Sequence, residues 1–262
     1  MLRAPSRARA LLDGTPHRVA PRWCSAAVAG YDTSRGRGVG DTVAEYAGML
    51  ARGARPDAYT FPSLLKAVAR ATASGVTLGG AAVHAHVVKF GFDRNAHAAS
   101  ALVLAYAAGG DDAAARAALD ESAVAGSGAG ASPVAWNALI TGHNRARRFV
   151  QSRRSFADMV RTGVVPTPVT YVSVLSACGK GGDALLGTQV HKRVLASGAL
   201  PADMKVGNAL VDMYAECADM DAAWRLFDGM QVRSVVFVDV AGFWVREGRP
   251  GRSSQGAVRF YA

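Results

Sequence analysis

The sequence predicts an all-α protein built as a solenoid of stacked helical hairpins, and three observations predict it. First, the 262-residue chain repeats itself: "SALVLAYAAGGDDAAARAALD" at 100–120 returns as "NALVDMYAECADMDAAWRLFD" at 208–228. Second, related segments begin at 133, 168 and 204, at intervals of 35 and 36 residues. Third, each unit carries two apolar stripes with helical spacing. Such a unit buries both of its stripes only when neighbouring units stack on it.

The unit at 133–167 shows the hairpin pattern. Its two stripes follow helical spacing, with Trp136, Leu139 and Ile140 in the first helix, then Phe156, Met159 and Val160 in the second. Gly163 and Pro166 predict where the second helix ends.

The unit at 204–234 repeats this pattern with a break at 218–220. Its stripes are Leu210, Met213 and Tyr214, then Ala223, Leu226, Phe227 and Met230. Asp219 is placed to cap the second helix. Cys217, near the break, is predicted to be a buried or turn residue without chemistry.

The segment "GKGGDA" at 179–184 formally matches a dinucleotide-binding pattern, G-x-G-x-x-A. That pattern needs a preceding buried strand, and here helical segments lie on both sides. The segment therefore predicts a turn.

The charge and the cysteines restrict the function. Lys and Arg number 30 against 20 acids, a net charge of +10, which favours a polyanionic partner such as nucleic acid. A basic presequence with solvated arginines explains the excess equally well. Three scattered cysteines, Cys24, Cys178 and Cys217, predict neither a disulfide framework nor a structural zinc site. No stretch is long and apolar enough to predict a membrane span.

Residues 1–22 are rich in arginine and poor in acids, with five arginines against Asp13 alone. This pattern favours an organelle transit peptide over a secretory signal, which needs a continuous apolar segment. A disordered basic tail is the alternative.

The repeat pattern resembles the pentatricopeptide repeat family. Within it, the order of repeat lengths is similar to the plant subfamily that alternates ordinary, long and short repeats. "VAWNALITGHNRARRFVQSRRSFADMVRTGVVPT" resembles the ordinary type, "VTYVSVLSACGKGGDALLGTQVHKRVLASG" the long type and "VGNALVDMYAECADMDAAWRLFDGM" the short type. The resemblance implies a right-handed superhelix of helix-turn-helix repeats.

On this resemblance, residues 23–234 hold about six repeats. Their limits fall near 20–57, 58–95, 96–132, 133–167, 168–203 and 204–234. Residues 235–262 are expected to form a degenerate or truncated repeat. The Gly/Ala/Ser stretch "AVAGSGAGAS" replaces the expected end of the 96–132 unit.

The resemblance also implies where RNA bases are read. In this family, a residue early in the first helix and the last residue of the repeat contact one base together. The early position falls on Cys24, Pro62, Ser100, Asn137, Val172 and Asn208. The last position falls on Asp57, Asn95, Thr167, Asp203 and Ser234, and the degraded end of the 96–132 unit leaves Ser100 without an identified partner.

Two of these pairs have hydrogen-bonding side chains at both positions and are the best candidate base readers: Asn137 with Thr167, and Asn208 with Ser234. In the family, an early asparagine favours pyrimidines. Pro62 and Val172 cannot bond through their side chains. The alternative for Asn137 and Asn208 is an ordinary capping or solvated asparagine.

Basic and histidine residues offer further candidates. An arginine cluster is a candidate for phosphate contacts, a solvated basic face being the alternative: Arg145, Arg147, Arg148, Arg153, Arg154 and Arg161. His84 and His191 occupy equivalent repeat positions without an accompanying acid or nucleophile, which favours packing or local hydrogen bonding over catalysis.

The sequence therefore predicts a non-catalytic, monomeric binder of single-stranded organelle RNA, without a cofactor or a metal. Relatives with these repeats act in RNA processing or modification such as C-to-U editing. The chain lacks the H-x-E and C-x-x-C motifs of a zinc deaminase, so editing would need editing factors, including a deaminase, in trans. The mitochondrion is slightly favoured over the chloroplast. The alternatives are a helical-repeat scaffold that binds proteins and a truncated, non-functional relative.

Overall fold

The computed structural model describes residues 39–73, 80–125, 131–198 and 203–230. These residues form eleven helices: α1 (Val39–Ala51), α2 (Thr60–Ala73), α3 (Gly80–Lys89), α4 (Ala96–Ala108), α5 (Asp112–Ala125), α6 (Pro133–Arg145), α7 (Phe149–Arg161), α8 (Pro168–Lys180), α9 (Ala184–Ala196), α10 (Met204–Glu216) and α11 (Met220–Gly229). The predicted transit peptide at 1–22, Cys24, Ser234 and the predicted degenerate repeat at 235–262 lie outside the described residues.

The helices alternate between two layers. The first helices of successive hairpins (α2, α4, α6, α8 and α10) pack directly on one another and form what we call the inner layer. The second helices α3, α5, α7 and α9 each pack against their own first helix and the next one, while α1 packs on α2 and α11 on α10. These second helices form the outer layer. The predicted all-α solenoid is confirmed.

The hairpin of α6 and α7 forms as its sequence predicts. The Ser132 side chain accepts the Ala135 N–H, and Pro133 stands at the first helical position, where its missing N–H costs nothing. Both predicted stripes are in the core, with Leu139, Ile140 and Met159 fully buried. The second helix ends at Arg161, and Gly163 then adopts a φ of +79° that most side chains would resist.

The contact between α4 and α6 is unusually close. At Gly142 of α6, an added Cβ would lie 2.5 Å from Ala107 Cβ and 3.0 Å from the Leu104 carbonyl oxygen. α4 consists mostly of alanine and is buried on nearly every side. Small residues on both helices therefore let the two backbones approach each other.

The two predicted turns are confirmed. Between α10 and α11, Ala218 has a φ of +62°, and the Asp219 side chain accepts the Ala222 N–H at 3.0 Å, which caps α11. Between α8 and α9, the segment at 179–184 turns at Gly182, whose φ is +64°.

Candidate nucleic-acid interface

The inner helices share one register. Each early position stands five residues after a polar residue at the start of its helix: Pro62 after Asp57, Ser100 after Asn95, Asn137 after Ser132, Val172 after Thr167 and Asn208 after Asp203. Four of these polar residues directly precede their helices, and Asp57 lies in the turn before α2. The last residue of one repeat therefore lies at the start of the next inner helix. This places the two predicted reading positions of a repeat on adjacent inner helices.

The predicted last-position residues cap these helices. Asn95 accepts the His97 and Ala98 N–H groups, each at 3.0 Å, and Asp203 accepts the Lys205 N–H at 2.8 Å. Asp57 likewise accepts N–H groups in the turn before α2. Because the first N–H groups of a helix have no partner in the helix, a short polar side chain is favoured here.

Ser132 holds the same position in the 96–132 repeat, where sequence reasoning identified no partner for Ser100. Its side chain accepts the Ala135 N–H at 3.3 Å and so caps α6. The signal was present in the sequence: Ser132 directly precedes Pro133, as Thr167 directly precedes Pro168. The Ser100 hydroxyl itself donates to the Ala96 carbonyl at 2.8 Å.

Asn137 and Thr167 are brought into contact. Asn137 Nδ2 donates to Thr167 Oγ1 at 3.1 Å, and both residues are half-buried. Asn137 Oδ1 accepts the Thr170 hydroxyl at 2.6 Å. The two side chains predicted to read one base thus form a single hydrogen-bonded unit.

The remaining early positions differ from this arrangement. Asn208 Oδ1 is buried and has no hydrogen-bond partner within the described residues, and Ser234 lies beyond them. Pro62 is buried, and Val172 is half-buried.

Three apolar side chains stand exposed at the starts of inner helices. Tyr59, Val134 and Val169 are 68%, 62% and 60% exposed, and each precedes its early position by three residues. None of the three is among the candidates that the sequence predicts. Burying these side chains against a base would remove apolar surface from water, and a tyrosine ring can also stack.

Cations stand at the other end of three inner helices. Arg70, Arg145 and Lys180 each follow their early position by eight residues, two helical turns along the same face. Partial desolvation, and after it the nearby charge of Arg70, lowers the pKa of Arg145. Arg70 and Lys180 were not among the sequence candidates, although the register identifies them. We call these three residues the basic column.

On α10 the position equivalent to the basic column carries an acidic residue. Glu216 stands at the equivalent position, with Asp212 one turn before it. Burial raises the pKa of both carboxyl groups, and the charge of Lys180 partly opposes that rise. Lys180 therefore faces two acids on its neighbouring helix.

The predicted arginine cluster divides between the layers. Arg148 forms a two-pronged contact with Asp112, at 2.7 and 2.9 Å, and Arg153 Nε lies 3.2 Å from Asp183 Oδ2. Both contacts join neighbouring hairpins, so the structure gives these two side chains a stabilising role instead of a free basic face. Arg147 lies in the turn after α6 and Arg154 on the outer layer, both exposed, while Arg161 binds Asp158.

The equivalent histidines form equivalent hydrogen bonds, as the sequence predicts. His84 Nδ1 lies 2.8 Å from the Tyr106 hydroxyl, and His191 Nδ1 lies 3.1 Å from the Tyr214 hydroxyl. Each pair joins an outer helix to the next inner helix. Burial lowers the pKa of both histidines, which keeps the rings neutral at neutral pH.

The described part of the chain was also compared with the requirements of a reactive cysteine, a metal site and a membrane span. Cys178 is buried, which raises the pKa of its thiol to about 12, and Cys217 is the C-cap residue that follows α10. No group of three or more possible metal ligands occurs within the residues described, and none of the helices there is long and apolar enough to cross a membrane.

Comparisons with known proteins agree with the repeat pattern. The profile of the PPR repeat family matches residues 131–180, and a PPR repeat profile matches residues 208–235. A putative pentatricopeptide repeat-containing protein of Arabidopsis thaliana is 37% identical over 197 residues, 75% of this chain and 27% of that protein. A mitochondrial Arabidopsis pentatricopeptide repeat-containing protein is 35% identical over 197 residues, 75% of this chain and 40% of the relative. A chloroplastic one is 31% identical over 229 residues, 87% of this chain and 23% of the relative.

Solved structures show the same likeness. The crystal structure of the pentatricopeptide repeat protein PPR10 in complex with an 18-nt psaJ RNA element superposes with a TM-score of 0.53 at 26% identity, covering 80% of this chain and 31% of that one. The chain thus spans about a quarter to two-fifths of the length of these relatives. With the two repeat profiles and the repeat geometry above, these likenesses establish that the chain belongs to the pentatricopeptide repeat family.

Proposed function

We propose that this chain binds single-stranded RNA in an organelle and that the inner layer selects the sequence of the RNA. The observation that carries the proposal is the 3.1 Å contact between Asn137 and Thr167, which joins the two predicted reading side chains across adjacent repeats. The RNA-bound state of the similar PPR10 structure supports RNA as the ligand.

The inner layer offers a different kind of contact at each height along its helices. Exposed apolar side chains at the helix starts can hold the face of a base, and the reading pairs can bond its edge. Two turns further along, Arg70 and Arg145 can neutralise phosphates. Single-stranded RNA fits this order because its bases are free to turn towards the protein.

The reading pairs divide by chemistry. Asn137 with Thr167 and Asn208 with Ser234 are the proposed principal readers. Ser100 with Ser132 is a third pair that can bond a base edge. In the proposed repeats at 58–95 and 168–203, only the last residues, Asn95 and Asp203, carry hydrogen-bonding side chains.

We further propose the subfamily and the biological role. The order of ordinary, long and short repeats at 133–167, 168–203 and 204–234 supports the subfamily with alternating repeat types. Organelle relatives support an organelle, and the transit-like residues 1–22 support import. The role is RNA processing or modification, such as C-to-U editing with a deaminase supplied in trans, the chain itself being non-catalytic.

The direct test is selection from a randomised single-stranded RNA pool at fixed salt. Asn137→Ala and Asn208→Ala are each expected to lower base preference at one nucleotide about five- to tenfold while changing total affinity less. Asn144→Ala is the matched control, because Asn144 lies on α6 outside the reading register and donates to the Ser173 carbonyl at 2.7 Å. If both reader variants enrich the same sequences as wild type, the base-reading proposal fails.

Crosslinking with RNA sequencing in each organelle tests the biological role. Recovery of a protein partner after nuclease treatment, without RNA crosslinks, would instead favour the protein-binding scaffold.

A further inference from the structure

Thr170 lies between the start of α8 and the candidate reader on α6. The side chains of Thr167 and Thr170 each accept the other's backbone N–H, which forms a capping box at the start of α8. Thr170 Oγ1 accepts the Thr167 N–H at 2.9 Å and lies 2.6 Å from Asn137 Oδ1. Thr170 itself is fully buried, and it stands outside the two reading positions of its repeat.

These contacts determine where the Thr170 hydroxyl proton points. Since Oγ1 already accepts a backbone N–H, its proton must go to another acceptor. Asn137 Oδ1 at 2.6 Å is nearer than Thr167 Oγ1 at 3.0 Å. The proton therefore goes to the amide oxygen of Asn137.

This donation fixes the orientation of the Asn137 amide. Its oxygen faces Thr170, and its nitrogen donates one hydrogen to Thr167 Oγ1 at 3.1 Å. The two distances fit this orientation, because 2.6 Å is a usual length for an O–H···O bond and 3.1 Å for an N–H···O bond, whereas the flipped amide would need an N–H···O bond of 2.6 Å. One Nδ2 hydrogen and one Oδ1 lone pair remain, in a fixed order, for a base edge.

The order matters because the two pyrimidines differ in this respect. On the Watson–Crick edge, cytosine presents an N4 donor beside the N3 acceptor, whereas uracil presents an O4 acceptor beside the N3 donor. An amide that turns freely suits both bases, while a fixed amide suits one better. We propose that Thr170 is a positioning residue that makes the 133–167 repeat discriminate between cytosine and uracil. This inference rests on the proposed base reading by Asn137.

Two other sites in the chain show what the arrangement requires. Thr60 occupies the equivalent position on α2 and accepts the Asp57 N–H at 3.1 Å, but its proton goes back to its own cap, Asp57 Oδ1, at 2.7 Å. Asn208 has an unpartnered Oδ1 within the described residues. Residue 237, three positions after Ser234, is a phenylalanine and offers no hydroxyl.

The test compares Thr170→Val with Thr170→Ser in the 262-residue chain. Asn137→Ala first identifies the nucleotide that this repeat reads, and RNAs carrying C or U at that nucleotide are then titrated against each variant. We expect Thr170→Val to reduce the ratio of the two dissociation constants about fivefold towards unity. Thr170→Ser should keep the wild-type ratio, because it retains the hydroxyl.

Thr60→Val is the matched control for stability. It removes a buried hydroxyl at the same helix position, so any loss of cap stability should resemble that of Thr170→Val, while the C-to-U ratio at the Asn137 nucleotide stays at the wild-type value. The NMR signals of the Asn137 side-chain NH2 group in the free chain give a second measurement. Thr170→Val should shift them and Thr60→Val should not, whatever the RNA affinity.

The outcomes separate the two proposals. If Asn137→Ala leaves base preference unchanged, base reading itself fails. If Asn137→Ala removes the preference but Thr170→Val keeps the wild-type ratio, or weakens C and U equally, only the role of Thr170 is overturned. A wild-type chain that binds C and U equally at this nucleotide would also overturn it.

Discussion

Replacing Gly142 with alanine tests the close contact that places α6 against α4. In an open helix the substitution should stabilise the protein by about 0.5–1 kcal/mol, because glycine is a poor helix former. Here the added Cβ would lie 2.5 Å from Ala107 Cβ and 3.1 Å from the Ala108 backbone nitrogen. Carbon atoms prefer about 3.5–4.0 Å, so the two helices must separate by roughly 1 Å.

The cost of that separation exceeds the gain in helix propensity. Overpacking a tight core costs about 1–3 kcal/mol, and the obstacles here are backbone atoms and a Cβ, which no side-chain rotation can move away. We expect a net loss of about 1–2 kcal/mol. At about 2–4 °C per kcal/mol for a chain of this size, the apparent Tm should fall by roughly 2–8 °C.

Gly48→Ala is the matched control. Gly48 also lies inside a helix, α1, but its Cβ would meet only the tip of the flexible Arg52 side chain, at 3.3 Å. The same substitution should therefore raise the Tm there, and thermal unfolding followed by circular dichroism measures both. A Gly142→Ala variant as stable as Gly48→Ala would refute the close packing of α4 and α6.

The remaining predictions concern charge. Arg145→Ala should make RNA binding less dependent on salt, reducing the magnitude of the slope of log K against log[salt] by about 0.7. Arg148→Ala should leave that slope unchanged and should lower the free energy of unfolding by about 1 kcal/mol or less. Asp212→Asn with Glu216→Gln should strengthen RNA binding and steepen its salt dependence, because it removes two negative charges near Lys180 that would repel a phosphate. Unchanged binding would refute this effect. Acid should destabilise the fold. Burial lowers the pKa of four histidines, His84, His86, His143 and His191. Below about pH 6.5 the unfolded chain therefore binds more protons than the folded chain, so the Tm should fall as the pH falls towards the lowered pKa values. A Tm that does not change with pH over this range would contradict the prediction.

The register of the repeats could be predicted from the sequence because it is local. Caps such as Asp219 and stripes such as Leu139 with Ile140 repeat at fixed intervals, and self-comparison finds them. Ser132 was missed because it is the last residue of the Gly/Ala/Ser stretch, which hides the end of its repeat. The direct contact between Asn137 and Thr167 follows from the same register.

The ion pairs of the arginines could not be predicted in the same way, because their acidic partners lie on other hairpins. Arg148 and Arg153 belong to a dense arginine segment, but Asp112 and Asp183, which bind them, are 36 and 30 residues away in the sequence. Only the stacking of hairpins reveals that these arginines are already paired. The basic column, by contrast, is sparse in the sequence and becomes apparent only when the inner helices are aligned.

Asn137 and Asn208 share residue type and register but differ in their hydrogen bonding. Both asparagines occupy the same early position, yet one amide is held at both ends and the other has an unpartnered oxygen within the described residues. The sequences that follow also differ: a threonine, Thr170, stands three residues after Thr167, whereas a phenylalanine stands three residues after Ser234. If Asn137 reads a base as we propose, its specificity depends on a pair of adjacent repeats. Moving the 133–167 repeat into another array would therefore preserve its base preference only if the first turn of α8 moved with it.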